Sequence, residues 1–226
     1  MTGFKYDRNF LREHYDSILQ KNYKILLAGG NGRIDFTDFV DNNVRSLVVL
    51  VRLAQDVGQR ISECIESLKK IEPDMYFYPQ KDFHVTVLDV LKGEAGRQIP
   101  ENISQYIEAV RECAKSIEPF EIEFDGLTAS DNAVMVRGFY EPQLQILREN
   151  LRHELRARNL ILDERYETFS SHVTIARLCD KYSEPARILS FVNTPVSFGK
   201  MRVKSLEISF HSWCDSKKKV LCELPL

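Results

Sequence analysis

The sequence predicts an α+β protein built from one structural unit used twice, and three observations carry that prediction. Strand-like and helix-like runs alternate from residue 44 onward. The order of those runs repeats after roughly 85 residues. Each copy also carries a His-Val-Thr-apolar tetrapeptide at the same place. Composition permits such a fold: 43% of the 226 residues are hydrophobic and 28% charged, which fits a globular chain and excludes disorder, collagen and a disulfide scaffold.

Residues 1–43 precede the repeat and form an N-terminal extension. Phe10, Leu11, Tyr15, Ile18 and Leu19 follow helical spacing and predict a helix over about 8–21. Gly29-Gly30-Asn31-Gly32 then breaks the pattern. It lacks the Lys-Ser/Thr of a phosphate-binding loop, so it reads as a turn. The extension has two possible places, against one lobe or over the cleft between lobes.

The first unit opens with a buried strand over 46–51 and continues with Val57, Ile61, Ile65 and Leu68 at helical intervals. The chain turns near Pro73 and Pro79, and 83–88 reads as the next strand. A helix over about 101–117 leads to residues 120–124, which alternate like a half-buried strand. The second unit repeats the order: a strand at 133–136, a helix at 142–159, a strand at 171–176 and a helix near 184–192. Strand-like segments at 197–210 and 219–224 close the chain. Leu47 stands 37 residues before His84, and Val134 stands 38 before His172. The division that follows is 44–128 and 130–214, with 219–224 as a closing strand.

The tetrapeptides are His84-Val85-Thr86-Val87 and His172-Val173-Thr174-Ile175. Alternate side chains on a strand share a face, so His84 and Thr86 emerge together while Val85 and Val87 turn inward. His172 and Thr174 do the same in the second copy. Two such strands related by a pseudo-twofold place two imidazoles and two hydroxyls in one cleft. That set suits displacement at phosphorus: one imidazole serves the entering oxygen and the other the leaving oxygen. The threonine hydroxyls can donate to non-bridging phosphate oxygens.

The paired motifs resemble those of the 2H phosphoesterase superfamily, which includes bacterial RNA 2′,3′-cyclic phosphodiesterases of the 2′-5′ RNA ligase group. The resemblance covers residues 44 to about 224. It implies two pseudo-symmetric lobes with antiparallel sheets, flanked by helices around a central cleft, with His84, Thr86, His172 and Thr174 as the catalytic set. By analogy with members that leave a 2′-phosphate, His172 would activate water and His84 would protonate the departing 3′ oxygen. The activity implied is hydrolysis of a cyclic phosphodiester, on a small cyclic phosphate or a short RNA terminus. A 2′-5′ RNA ligase and a non-catalytic RNA-end or nucleotide-binding module are the alternatives. No cofactor is implied.

Around the motifs the assignments divide. Arg177 follows the second motif, but on a regular strand it points away from the cleft. It contacts phosphate only if the strand ends or bulges there, and otherwise forms a structural ion pair. Tyr76 and Tyr78 either stack on a base or plug the sheet. Phe210-His211-Ser212-Trp213 offers another stacking surface, with His211 read as structural. Arg148, Arg152 and Arg156 form a helical stripe that either meets an RNA backbone or is a solvated face. Lys217-Lys218-Lys219 reads as a soluble turn between the last strands. No His/Cys/Asp cluster shows metal-ligand spacing, so no metal is expected.

The remaining expectations concern setting. A net charge of −2 argues against coating extended duplex nucleic acid. Five scattered cysteines without C-x-x-C read as reduced thiols. No signal segment is visible in residues 1–10, and the longest apolar run, 47–51, is too short for a bilayer. A cytoplasmic monomer with no membrane partner is the expectation.

Overall fold

The apolar alternation read from the sequence becomes two antiparallel sheets. The structure, a computed structural model, describes residues 4–32 and 43–226, so residues 1–3 and 33–42 of the extension lie outside it. Helix α1 (Arg8–Leu27) opens on Asp7, whose carboxylate accepts the Phe10 N–H at 2.8 Å. It outlasts its expected end because Leu26 continues the apolar face. The helix closes where Gly29 N–H reaches the Leu26 carbonyl and Gly30 N–H the Ile25 carbonyl, with Gly29 at φ 102°.

The chain continues as β1 (Val44–Arg52), α2 (Gln55–Lys69), β2 (Tyr76–Phe77), β3 (His84–Ala95), α3 (Ile103–Lys115) and β4 (Phe120–Ala129). After these come β5 (Ala133–Tyr140), α4 (Pro142–Ala157), β6 (Val173–Arg177), α5 (Pro185–Val192), β7 (Ser197–Val203) and β8 (Ser205–His211). β9 (Lys218–Pro225) comes last. One sheet runs β3-β1-β8-β9 and the other β2-β6-β5-β4-β7. Each sheet therefore joins strands from before and after residue 130: β4 pairs with β5, and β1 with β8. The motif-bearing strands β3 and β6 lie in different sheets.

Helices cover the sheets on the faces their apolar residues dictate. α2 buries Val57, Ile61, Ile65 and Leu68 and meets β6 and β7. α3 packs on α4, and α4 also reaches β3. α1 packs on β4, β5 and α5, burying Leu11, Tyr15, Leu19 and Leu26. The extension thus lies against the five-stranded sheet. Its Tyr15 hydroxyl donates to the Gly138 carbonyl at 3.0 Å and accepts the Ser171 N–H at 3.2 Å, next to the second motif.

Candidate active site

Both motif strands carry the same irregularity. Along β3 the partners run Arg52↔His84, Val51↔Val85 and Leu50↔Thr86, then jump to Val49↔Leu88. Along β6 they run Val136↔Val173 and Met135↔Thr174, then jump to Val134↔Ala176. Each strand bulges at the third residue after its histidine. Two consecutive residues then face the core, Val87 with Leu88 and Ile175 with Ala176, and the alternation inverts. The fifth residue after each histidine returns to the histidine's face. In the first copy that residue is Asp89; in the second it is Arg177.

His84, Thr86, His172, Thr174 and Arg177 line one cleft of about 420 Å³, together with Tyr78, Asp89, His211 and Trp213. The bulge therefore resolves the Arg177 question in favour of the cleft. Its guanidinium lies 4.4 Å from the Trp213 ring centroid, and its Nε donates to the Tyr78 hydroxyl at 3.1 Å. Tyr78 is itself buried and serves as a prop for Arg177. Tyr76 is not brought to the cleft: it is buried, edge-on to Tyr78 at 5.1 Å.

The two imidazoles are held alike. His84 Nδ1 lies 2.8 Å from the Asp82 carbonyl, and His172 Nδ1 lies 2.9 Å from Ser170 Oγ, each partner two residues upstream. A carbonyl only accepts, so His84 carries its proton on Nδ1 and presents Nε2 to the cleft. Burial pushes both imidazoles down to about 4. Around His84 the nearby His211 and Arg52 disfavour the charged form, while the Asp215 carboxylate and the Asp82 carbonyl favour it. Arg177 disfavours a charged His172.

Arg148 is not on a nucleic-acid face. It is 1% exposed, and its guanidinium donates to four carbonyls: Val87 at 2.8 Å, Thr86 at 2.8 Å, Phe169 at 2.6 Å and Ser170 at 2.7 Å. One side chain thus clamps the first motif to the segment leading into the second. Arg152 pairs with Glu164 through two 2.8 Å contacts, leaving Arg156 as the exposed member of the stripe. Lys218 is also not a free turn lysine, since it bonds Asp82 at 2.7 Å and Asp215 at 2.8 Å.

Two further residues line the cleft: His211, which the sequence reads as structural, and Asp89, which it does not single out. His211 Nδ1 sits 2.6 Å from Asp215 Oδ1, and its ring meets that of His84 edge-on at 5.6 Å. The i, i+4 spacing of His211 and Asp215 across a turn was the available signal. Asp89 was hidden by the same bulge that hid Arg177. Its Oδ1 is buried without a hydrogen-bond partner, and burial raises the carboxyl to about 6. Among the described residues no group of three or more His, Cys, Asp or Glu is placed to hold a metal ion, and no helix is long and apolar enough to cross a membrane.

Comparison with known proteins agrees with this geometry. A family model described as the 2′-5′ RNA ligase superfamily matches residues 52–209. TT0787 of Thermus thermophilus shares 20% identity at a TM-score of 0.58, covering 80% of this chain and 97% of that one. Apo E. coli LigT shares 12% at a TM-score of 0.57, covering 81% and 98%. E. coli LigT complexed with 3′-AMP shares 14% at 0.53, with the same coverage. These likenesses carry the fold. No curated protein matches the sequence.

Proposed function

The chain belongs to the 2′-5′ RNA ligase superfamily, the 2H phosphoesterase group its motifs resemble, and from that premise we propose that it hydrolyses a cyclic phosphodiester. The substrate class is a nucleoside or RNA-terminal 2′,3′-cyclic phosphate. The observation that carries the reading is the convergence of His84, Thr86, His172 and Thr174, with Arg177, on one cleft. A volume of about 420 Å³ suits a nucleotide, and the 3′-AMP complex of LigT supports the same ligand class.

The division of labour follows the analogy with members that leave a 2′-phosphate. His172, beside Arg177, is neutral and removes a proton from water; the water oxygen attacks phosphorus. The bond from phosphorus to the 3′ oxygen breaks, and His84, protonated before this step although burial lowers its pKa, gives that proton to the oxygen. A 2′-phosphate results. Thr86, Thr174 and Arg177 donate to the non-bridging oxygens, where negative charge gathers in the transition state.

Release of phosphomonoester from 2′,3′- and 1″,2″-cyclic phosphates of graded size tests the reading. Wild-type protein should turn over at least one of them, with a rate bell-shaped in pH and indifferent to chelator. His84→Ala and His172→Ala should each lower kcat by about 10²–10⁴-fold. Retained activity in either variant would sink the two-histidine mechanism. The family description also favours a second reading, 2′-5′ joining of RNA. Consumption of 5′-hydroxyl RNA ends by the cyclic phosphate would establish it.

A further inference from the structure

The repeat makes the two sides of the cleft nearly equivalent, and the place where equivalence fails is informative. The matching bulges put Arg177 on the His172 side and Asp89 on the His84 side. A carboxylate cannot donate to a phosphate. Nor are the basic side chains near His84 free to do so. Arg52 is committed to Glu207, at 2.9 and 2.5 Å, and to Asp215 at 2.5 Å, while Lys218 is committed to Asp82 and Asp215. Lys92, farther along β3, pairs with Asp163 at 3.1 Å. Arg165 also lines the cleft, and its charge acts on the Asp89 carboxylate. Of the remaining bases lining the cleft, His211 is the one whose ring meets that of His84.

Its setting is built rather than incidental. The turn after β8 holds Asp215 at φ 61°, a left-handed conformation. Asp215 there accepts from His211, Arg52 and Lys218 together. Lys218 also bonds the Asp82 side chain, and the Asp82 carbonyl receives His84 Nδ1. The edge-to-face contact of His84 with His211 closes the network on itself. A carboxylate on Nδ1 fixes an imidazole's orientation and leaves Nε2 for a ligand.

We propose that His211 is a third functional imidazole: as an imidazolium, with Nδ1–H on Asp215, it donates from Nε2 to a phosphoryl oxygen on the His84 side, where the bulge puts Asp89 in the place that Arg177 takes on the other side. This deepens the reading of the cleft as a phosphodiester site and rests on it. His84 from β3, Asp215, Arg52 and Lys218 around the network, and Asp89 on β3 with Arg165 beside it are the charged and titratable groups it works among.

The test uses the full chain with inorganic phosphate as probe, following the histidine ring resonances by NMR and phosphate affinity by calorimetry. Phosphate should move the His211 resonance along with those of His84 and His172, with one common Kd. His211→Ala should weaken phosphate about tenfold or more and lower kcat/KM for a cyclic phosphate by about 100-fold. His211→Gln, which keeps a donor, should recover part of both.

If phosphate moves His84 and His172 but not His211, the assignment is overturned. It is equally overturned if His211→Ala binds phosphate as the wild type does, whatever its melting temperature, or if phosphate binds nowhere in the cleft. Should His211→Ala fail to fold, the wild-type resonances still decide. The underlying reading fails separately. A wild type that hydrolyses no cyclic phosphate, yet shows the His211 response, loses the proposed reaction and keeps the third imidazole. Normal hydrolysis by His211→Ala does the reverse.

Discussion

Arg148→Met should cost this protein about 3 kcal/mol of stability and should also impair turnover. The substitution keeps the length and apolar stem of the side chain but removes every donor. Four carbonyls lose a partner, two in the first motif and two just before the second. The Phe169 carbonyl keeps a hydroxyl donor in Tyr140, so three are orphaned. An unsatisfied buried acceptor costs roughly 1–3 kcal/mol, which places the gross loss at about 3–9.

Against that stands the removal of a buried charge. Burial lowers the guanidinium pKa from 12.5 to about 10, so it stays charged at neutral pH. That shift corresponds to roughly 3 kcal/mol of unfavourable burial, which methionine avoids. A net loss near 3 kcal/mol, the centre of that difference, should lower Tm by about 6–12 °C for a chain of this size. Urea denaturation monitored by circular dichroism measures the loss. Steady-state turnover well below the variant's Tm measures the second effect. A stability loss under about 1 kcal/mol would refute the clamp's energetics. Full stability loss with wild-type kcat/KM would refute its role in positioning the motifs.

Two further predictions follow from the same region. At Gly138 an added Cβ would lie 2.1 Å from the Ser171 carbonyl oxygen, immediately before His172. Gly138→Ala should therefore destabilise by about 1–3 kcal/mol and reduce kcat. Wild-type values for both would show that the backbone yields without moving the histidine. The cleft also predicts a pH dependence of stability. Between pH 6 and 5 the unfolded chain protonates His84 and His172, which the folded chain keeps neutral, while the folded chain alone protonates Asp89. The unfolded state binds about one more proton, so these groups make stability fall on acidification by up to about 1.4 kcal/mol per pH unit. His172→Asn should cancel that contribution, and equal slopes for variant and wild type across this window would contradict the burial of the cleft histidines.

The apolar spacing located where the long elements start, but α1, β3 and β4 run five to seven residues past their expected ends and 197–210 divides into β7 and β8. The His-x-Thr pairs were legible because alternation puts His84 beside Thr86 and His172 beside Thr174, and both pairs precede the bulge. Everything beyond the bulge was illegible. Strict alternation sends Asp89 and Arg177 away from the cleft, and only the skipped partners at Val87 and Ile175 bring them back. Arg148 was misread for a different reason. Its i, i+4 companions are partly or wholly exposed, and helical spacing does not reveal that one register position meets four backbone carbonyls instead of water. Tyr76 shows the converse, an aromatic beside a motif that the two-residue strand β2 turns into the core.

A duplicated unit with identical bulges would, if its sequence were also identical, give a cleft with no preferred direction. Two equivalent imidazoles cannot be assigned acid and base by position, and an in-line displacement needs them to differ. The sequence breaks the symmetry at few places, and those places sit on the reacting axis. Arg177 disfavours a charged His172, whereas around His84 the Asp215 carboxylate partly offsets the burial and the His211 ring that disfavour its charge. The carbonyl of Asp82 against the hydroxyl of Ser170 adds to this: His84 keeps its Nδ1 donor in either protonation state, whereas the serine hydroxyl can donate to or accept from His172. In the proposed reaction, residues outside the repeated motif are what would set the direction of proton flow. For this reason exchanging the motif histidines' neighbours, rather than the histidines themselves, is the change that should reverse which imidazole acts as the acid.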